Sequence, residues 1–286
     1  MKRSLIIVLG LLLISITGIF AQDPNSSIDL NYVKDPVFLG VTFGYNRVMH
    51  SVTLPSFDEQ GTLCPKFENG SDNGFWAGIT YEQFFGDLSN SRQSLIFRAL
   101  YSTYPSYLEV GGEEYPTQVR YYDDQGKLVD QKIVYSSTLN TQTINYAVAS
   151  LEVSYKIKPI EGINLGITVT PTFDYALTKT YDQRFELLEP QNAQFKVNQD
   201  LIDRHKIKGY ANNDRTIIIN DGDIQNSSAI RVGLKAGIQY EINIPGGFYI
   251  VPALYYNFGI TNLVSNNDWR VNALQIGIDI RKPIRF

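Results

Sequence analysis

The feature that constrains this chain most is a strict alternation of apolar and polar residues over long stretches. In residues 229–244 the even positions are apolar, and the odd positions carry polar or small residues such as Arg231, Lys235 and Glu241. Successive side chains of a β-strand point to opposite faces, so a period of two predicts strands with one apolar and one polar face. Seven more stretches follow the rule: 37–45, 75–85, 95–103, 144–157, 163–177, 248–260 and 271–286.

The polar face of these stretches combines glycine with charges of both signs. Small residues and paired charges suit the crowded interior of a narrow closed barrel, whereas the outside of a soluble sandwich does not need them. Because a buried unpaired charge is costly, five acidic and five basic residues on this face are expected to pair. They are Glu82, Arg98, Glu152, Lys156, Asp174, Arg231, Lys235, Glu241, Asp279 and Arg281.

The connections between the stretches alternate in length. Short turns on one side and long loops on the other are typical of outer-membrane barrels. The sequence therefore predicts an all-β fold, an eight-stranded antiparallel up-and-down transmembrane β-barrel with long extracellular loops. The stretch 144–157 fits only if its faces slip near Ala149 and Ser150, which predicts a bulge there. The long connections are 51–73, 109–143, 181–228 and 262–270, and the short ones are 86–94, 159–162 and 245–247.

The N-terminal residues have the order of a secretory signal. Met1, Lys2 and Arg3 are followed by a mostly apolar run that ends at Ala21 and Gln22. We therefore predict a signal peptide over residues 1–21, a periplasmic segment over 22–36, and an outer-membrane barrel domain over 37–286. No later stretch approaches the 18 consecutive apolar residues expected of a membrane helix.

Two segments carry a resemblance to a known group. "LKAGIQYEINIPGGFYIVPALYYNFGITNLV" and the closing "LQIGIDIRKPIRF" resemble the Bacteroidetes and Ignavibacteria-type outer-membrane β-barrels, the OmpA-like or PorT-like eight-stranded group. "LPSFDEQGTLCPKFENGSDNGFWAGITYE" resembles a first loop and second strand of such proteins. The resemblance implies a location in the outer membrane, contact with its lipid and a link to secretion proteins. The terminal Phe286 resembles the signal that barrel-insertion machinery reads.

The sequence offers few groups for chemistry. His50 beside Ser51, and His205 near Asp203, are the two histidines that could serve as a base at the barrel rim. Neither has a matching nucleophile and acid in a known motif, so no catalytic, cofactor-binding or metal-binding residue is assigned and no enzyme is expected. Cys64 has no partner cysteine in the chain and is expected to be inert.

The segment "NNDRTIIINDGDIQN" groups oxygen-bearing side chains. Asp214, Asp221 and Asp223 could bind calcium, but the spacing is not that of an EF-hand. A turn at Asn-Asp-Gly, residues 220–222, is the preferred interpretation. Residues 118–135 predict a hairpin that turns at 123–126 and stands up from the barrel; if it crossed the membrane, the barrel would have ten strands.

These patterns favour a non-enzymatic envelope barrel with a structural or protein-interaction role. Its partners are expected to be membrane lipid and envelope or secretion proteins that meet the outer loops. With 29 acidic and 25 basic residues, the net charge of -4 argues against nucleic acid as a partner. The alternatives are a small-solute pore or, less favoured, a rim enzyme that modifies lipid A or cleaves proteins.

Overall fold

The computed structural model describes residues 35–54, 67–86, 91–122, 125, 127–204, 206–265 and 268–284. These residues form thirteen strands, all paired antiparallel, and one short helix. Among them, no helix is long and apolar enough to cross a membrane. Cys64, His205 and Phe286 lie outside the described residues, as do residues 1–34 with the predicted signal peptide.

The strands follow the alternating stretches but are longer than most of them. β1 extends nine residues past Tyr45, the predicted end of its stretch. The elements are β1 (Val37–Leu54), β2 (Phe67–Phe84), β3 (Gln93–Thr103), β4 (Ser106–Tyr122), β5 (Leu128–Ile157), β6 (Leu165–Glu189), β7 (Ala193–Phe195), α1 (Gln199–Asp203), β8 (Gly209–Ala211), β9 (Thr216–Asp223), β10 (Ile230–Tyr240), β11 (Ile242–Ile244), β12 (Phe248–Gly259) and β13 (Arg270–Ile284).

Eight strands, here called the ring strands, are joined by pairings that return to the strand where they begin. The order is β5, β3, β2, β1, β13, β12, β10, β6 and again β5. The first and last ring strands lie side by side, with Val37 opposite Ile284 and Ser51 opposite Arg270. Each predicted stretch supplies one of these strands.

The two faces of the ring strands are opposite in character to those of a water-soluble sheet. One face, here called the inner face, is buried and largely polar: Glu82, Asp279 and Arg281 are at most 1% exposed. The other, the outer face, carries large apolar side chains such as Phe43, Leu151 and Ile276, which are 46%, 62% and 56% exposed. Soluble proteins bury such side chains, so this surface faces a medium other than water.

The predicted slip of faces at Ala149 and Ser150 is wrong. β5 keeps one set of inward residues, from Ile144 through Ser150 to Lys156. Its inward residues are apolar from Ile144 to Val148 and polar from Ser150 to Lys156. In the sequence, this change of character looks the same as a slip of faces. The irregularity lies in β6 instead: Ala147 pairs with Thr178 and Val148 with Ala176, so the extra residue belongs to the partner strand.

Close approaches between inner-face residues explain part of the glycine content. A methyl group added at Gly277 would lie 2.1 Å from Cζ2 of Trp76 and 2.6 Å from the carbonyl oxygen of Phe43. Gly44 on the neighbouring strand meets the same indole, at 2.6 Å. Both positions need glycine because the indole of Trp76, only 2% exposed, lies against them.

Beyond the ring, the ring strands β5 and β6 continue into a second unit, where β4 pairs with β5. β4 follows β3 along the same partner β5, with Ser106 opposite Ile144 and Tyr122 opposite Leu128. This confirms the predicted hairpin and makes it an extension of ring strands. β5 has 30 residues, and its part before residue 147 extends roughly 60 Å at about 3.3 Å per residue. The head is defined here as the described residues of 106–143 and 178–224.

The head replaces what the sequence predicted as long loops. Residues 181–228 contain the end of β6, then β7, α1, β8 and β9, so most of this segment is regular structure. β7 pairs with β4, and the amide of Phe195 donates to the carbonyl of Asp214, 2.8 Å away. The segment therefore folds back on the long hairpin.

Candidate functional site

The inner face holds a continuous chain of ion pairs. All ten charged residues expected there are buried and paired, which confirms that prediction, and Lys158 joins them. Arg98 contacts Asp279 at 2.9 Å and Glu152 at 3.8 Å. Opposite signs alternate along the chain: Lys235, Glu152, Arg98, Asp279, Arg281, Glu82, Lys156, Glu241 and Lys158.

A separate pair joins Arg231 to Asp174 nearer the head. The guanidinium Nε and Nη2 donate to one carboxylate oxygen of Asp174, at 2.9 and 2.5 Å. Nη1 donates to the carbonyl of Val271 at 2.8 Å, and the guanidinium stacks over the ring of Tyr104 at 4.6 Å. All three guanidinium nitrogens of Arg231 therefore donate hydrogen bonds within the interior.

Between the ion pairs and the head, the inner face becomes apolar. This apolar inner cluster lies between the charged interior and the head, and Trp269 and Tyr104 are 3% and 2% exposed. It occupies the side of the ring from which the long connections leave. Its members are Val48, Val52, Tyr104, Ile144, Tyr146, Val148, Ile224, Leu263, Trp269, Val271 and Ala273.

His50, a candidate rim base, lies within this cluster and not at a solvated rim. Its Nε2 is 3.0 Å from the carbonyl of Tyr104, and its Nδ1 accepts from the indole of Trp269 at 3.0 Å. Both ring nitrogens are occupied and the side chain is 1% exposed. This arrangement suits a packing role. The second candidate, His205, lies outside the described residues, and the neighbouring Asp203 accepts from Gln199 at 2.9 Å.

The acidic residues considered for calcium are separated by the fold. Asp214 pairs with Arg120 at 2.7 Å, whereas Asp221 lies on β9 opposite Asp182. The described residues contain no group of three or more His, Cys, Asp or Glu side chains that could hold a metal. The predicted turn at 220–222 is wrong, because these residues continue β9. The turn lies at 212–214, where three residues with positive φ precede the strand.

The head has its own hydrophobic core, here called the head core. Phe185 and Phe195 are fully buried with ring centroids 5.6 Å apart. Leu201 from α1 and Ile217 from β9 close the core from two further elements. The complete set is Val119, Phe185, Leu187, Ala193, Phe195, Leu201, Ile207 and Ile217. This core was not predicted from the sequence, although the apolar positions of "RFELL" and "TIII" indicated buried residues.

One arginine fixes the connection that follows β6. The guanidinium of Arg215 donates to five backbone carbonyls, at distances from 2.6 to 3.0 Å. These carbonyls belong to Leu187, Leu188, Pro190, Gln191 and Ala193. Where the head meets the ring, burial raises the pKa of Tyr181 well above its usual range, so its hydroxyl stays neutral and donates to Gln183 at 2.5 Å.

No protein-family model matches the sequence, and no curated protein matches it. Among solved structures, it is similar to Neisserial surface protein A, with 13% identity over 85% of this chain and 96% of that one, and a TM-score of 0.35. It is also similar to the outer membrane protease OmpT of Escherichia coli, with 6% identity over 92% and 100% of the two chains, and a TM-score of 0.34.

A third similar structure is the attachment invasion locus protein Ail of Yersinia pestis, with 10% identity over 86% of this chain and 98% of that one, and a TM-score of 0.29. Scores this low assign no role to the chain. The class follows from its own geometry: antiparallel strands with a polar interior and an apolar outer face, whose pairings return to the first strand, define an outer-membrane β-barrel protein.

Proposed function

We propose that the eight ring strands form one closed barrel that spans the outer membrane and carries the head outside the cell. The outer face supports this, because its apolar positions run from Val37 to Tyr45 on β1 and from Ile230 to Tyr240 on β10. Such lengths fit a membrane crossing of about 9–11 tilted residues. We further propose residues 1–21 as the signal peptide, 22–36 as a periplasmic segment and 37–286 as the barrel domain.

The filled interior argues against a pore. A barrel of eight strands is about wide enough for its own side chains to fill it. Here the ion pairs and the apolar inner cluster occupy it in succession. A cavity beside Phe38, Glu82 and Arg281 has a volume of about 10 Å³, which is room for at most one water. We therefore expect the described residues to leave no continuous path for solutes past these side chains.

The role that fits best is non-enzymatic: the barrel anchors the head, and the head contacts other proteins of the envelope. The observation that carries this proposal is the head core, because Phe185 and Phe195 are buried by contacts within the head itself. A head held rigid on ring strands presents a defined surface at low entropic cost. The resemblance to PorT-like barrels favours secretion proteins as partners, and insertion into the membrane with Phe286 as the recognition signal belongs to the same proposal.

The test compares variants in the native host. Tagged wild-type protein is cross-linked in living cells and its partners are identified by mass spectrometry. Phe195→Ala empties the head core, whereas Val197→Ala, at an exposed position, is the matched control. We expect the control to retain a stoichiometric envelope partner and Phe195→Ala to lose it at equal barrel abundance. Equal recovery from both variants, or no partner with wild type, would refute the interaction role.

Conductance tests the alternative. Purified protein in a planar lipid bilayer should give no stepwise current, because the interior is filled. Regular conductance steps from the folded wild-type protein would favour the small-solute pore and contradict the proposed packing.

A further inference from the structure

The outer face of the ring contains a depression with a volume of about 660 Å³. The lining includes Ala99 and Ala149, which form its floor, and walls of large apolar side chains. Ala99 lies opposite Leu151, which lies opposite Phe173. The depression, here called the outer groove, thus crosses the three adjacent strands β3, β5 and β6 and reaches Ile230 on a fourth strand, β10. Its walls are Leu151, Phe173, Tyr175 and Ile230, which are 62%, 50%, 57% and 60% exposed.

Two features of the sequence create the outer groove. Small residues stand at Ala99 and Ala149, whereas their outward neighbours on β3 include Phe97 and Tyr101. The irregular pairing of β5 with β6 lies directly above, at Ala147 and Val148. An extra residue in one strand bends the sheet locally and increases its twist, so the depression sits where the ring turns into the head.

The groove has a direction relative to the membrane. Ala99 is in the middle of β3, whereas Ile230 is the first residue of β10, at the end from which the long connections leave. Tyr175 lies opposite both Ala149 and Ile230, so it links the floor to this outer end. The groove therefore rises from the middle of the membrane-facing surface toward its outer edge.

The lining excludes a charged occupant. Asp174, the one charged residue of the lining, directs its carboxylate to Arg231 on the inner face. The volume falls within the range of about 300–1,000 Å³ that is common for small-ligand sites. In a membrane, such a groove is continuous with the acyl region of the bilayer, so its occupant is apolar, extended and already present at high concentration.

We propose that the outer groove binds one acyl chain of an outer-leaflet lipid, with the polar headgroup beyond Ile230. This inference rests on the proposed membrane-spanning function and adds a specific lipid site to it. Contact with the walls would bury apolar surface that ordinary, mobile lipid covers only in part. The bound chain would also support the irregular pairing of β6 with Ala147 and Val148 of β5, next to the head.

The test measures lipid binding on delipidated, folded protein in mild detergent. The probe is dipalmitoyl phosphatidylethanolamine, titrated in increasing amounts and counted by native mass spectrometry. Ala149→Phe fills the floor of the groove, and Ala236→Phe adds the same ring at an exposed outer-face alanine of β10 as a matched control. We expect one lipid to bind to wild type and to the control, and about tenfold weaker binding to Ala149→Phe.

Each outcome has a defined meaning. Equal lipid binding by Ala149→Phe and Ala236→Phe would overturn the groove as the lipid site. A dimer in the native mass spectrum that lacks bound lipid and is lost in Ala149→Phe would also overturn it, because a second copy of the chain would then occupy the groove. Circular dichroism and insertion into vesicles are measured on the same samples. Protein that inserts but retains no lipid refutes only this inference, whereas folded protein that fails to insert into vesicles refutes the proposed function itself.

Discussion

The pair between Arg231 and Asp174 gives the sharpest test of how the interior is stabilised. Both side chains are 1% exposed, and Arg231 is the ion-pair partner of Asp174 among the described residues. Arg231→Met removes the cation and leaves a buried carboxylate without a counter-charge. Breaking a buried pair from one side costs about 3–5 kcal/mol, because the remaining charge stays desolvated.

The double variant Arg231→Met/Asp174→Leu makes the prediction specific. Replacing both charges with apolar residues of similar size is often neutral, so the double variant should lie within about 1 kcal/mol of wild type. Arg47→Met serves as the control, because Arg47 is exposed and bonds to Asn73 and Ser71 outside the interior. It should change stability by no more than about 0.5 kcal/mol.

The assay is reversible urea unfolding of the protein in lipid vesicles, followed by tryptophan fluorescence. Trp76 and Trp269 are both buried within the ring, so their emission reports on its interior. The reasoning is refuted if Arg231→Met costs less than about 1 kcal/mol, a value usual for an exposed pair. It is also refuted if the double variant is as unstable as the single one.

Three further predictions address the head and the ring. Phe195→Ala should destabilise the head by about 3–5 kcal/mol through loss of the buried ring; limited proteolysis should then cut the head while the ring strands stay protected, and Val197→Ala should resist. Arg215→Met should loosen residues 187–193 by at least about 3 kcal/mol, since a single hydrogen bond from a charged group contributes about 1.5–3 kcal/mol and this variant removes several; faster hydrogen exchange confined to that segment would confirm it, and unchanged exchange would contradict it. Gly277→Val should prevent assembly of the ring, because its side chain would overlap Trp76 and the Phe43 carbonyl; wild-type yields of folded protein in vesicles would show that the close approach is not required.

The ring strands could be predicted from the sequence because each is placed between two different environments. A strand with lipid on one side and a polar interior on the other must alternate, and every residue of the stretch repeats that constraint. The alternating stretch of β1 ends at Tyr45, whereas the strand continues to Leu54, because beyond the lipid the outward positions become polar, beginning with Arg47. Alternation therefore marks the membrane-facing part of a strand and not the whole strand.

The ion pairs were predictable as a set but not as partners. Ten of the charged residues alternate in phase with apolar neighbours, which places them on the inner face. Lys158 was missed because it follows the end of β5 at Ile157, where the alternation stops. The order of contacts, such as Arg98 with Asp279 across 181 positions, depends on which strands are opposite each other in the interior. No local pattern contains that information.

The head was not predicted from the sequence, which indicated long loops in its place. Its strands β7 and β8 have three residues each, too short for any period to be recognised. They are stable because distant segments pack together: the ring of Phe195 packs against that of Phe185, and the amide of Phe195 donates to the carbonyl of Asp214. A segment without long alternation was therefore interpreted as a loop, although its buried residues form a core.

The error at Ala149 and Ser150 explains how the molecule combines its two parts. The prediction assumed that the inner face of a membrane barrel is polar throughout, so the apolar residues Ile144, Tyr146 and Val148 required a slip of faces. They face inward because the interior must also be closed at the end where the head is attached. Charges pair where the interior is surrounded by lipid-facing strands, and apolar side chains pack where it meets the head. The same strand, β5, contributes residues to the ion pairs, to the apolar inner cluster and to the long hairpin. The ring and the head are therefore parts of one continuous sheet.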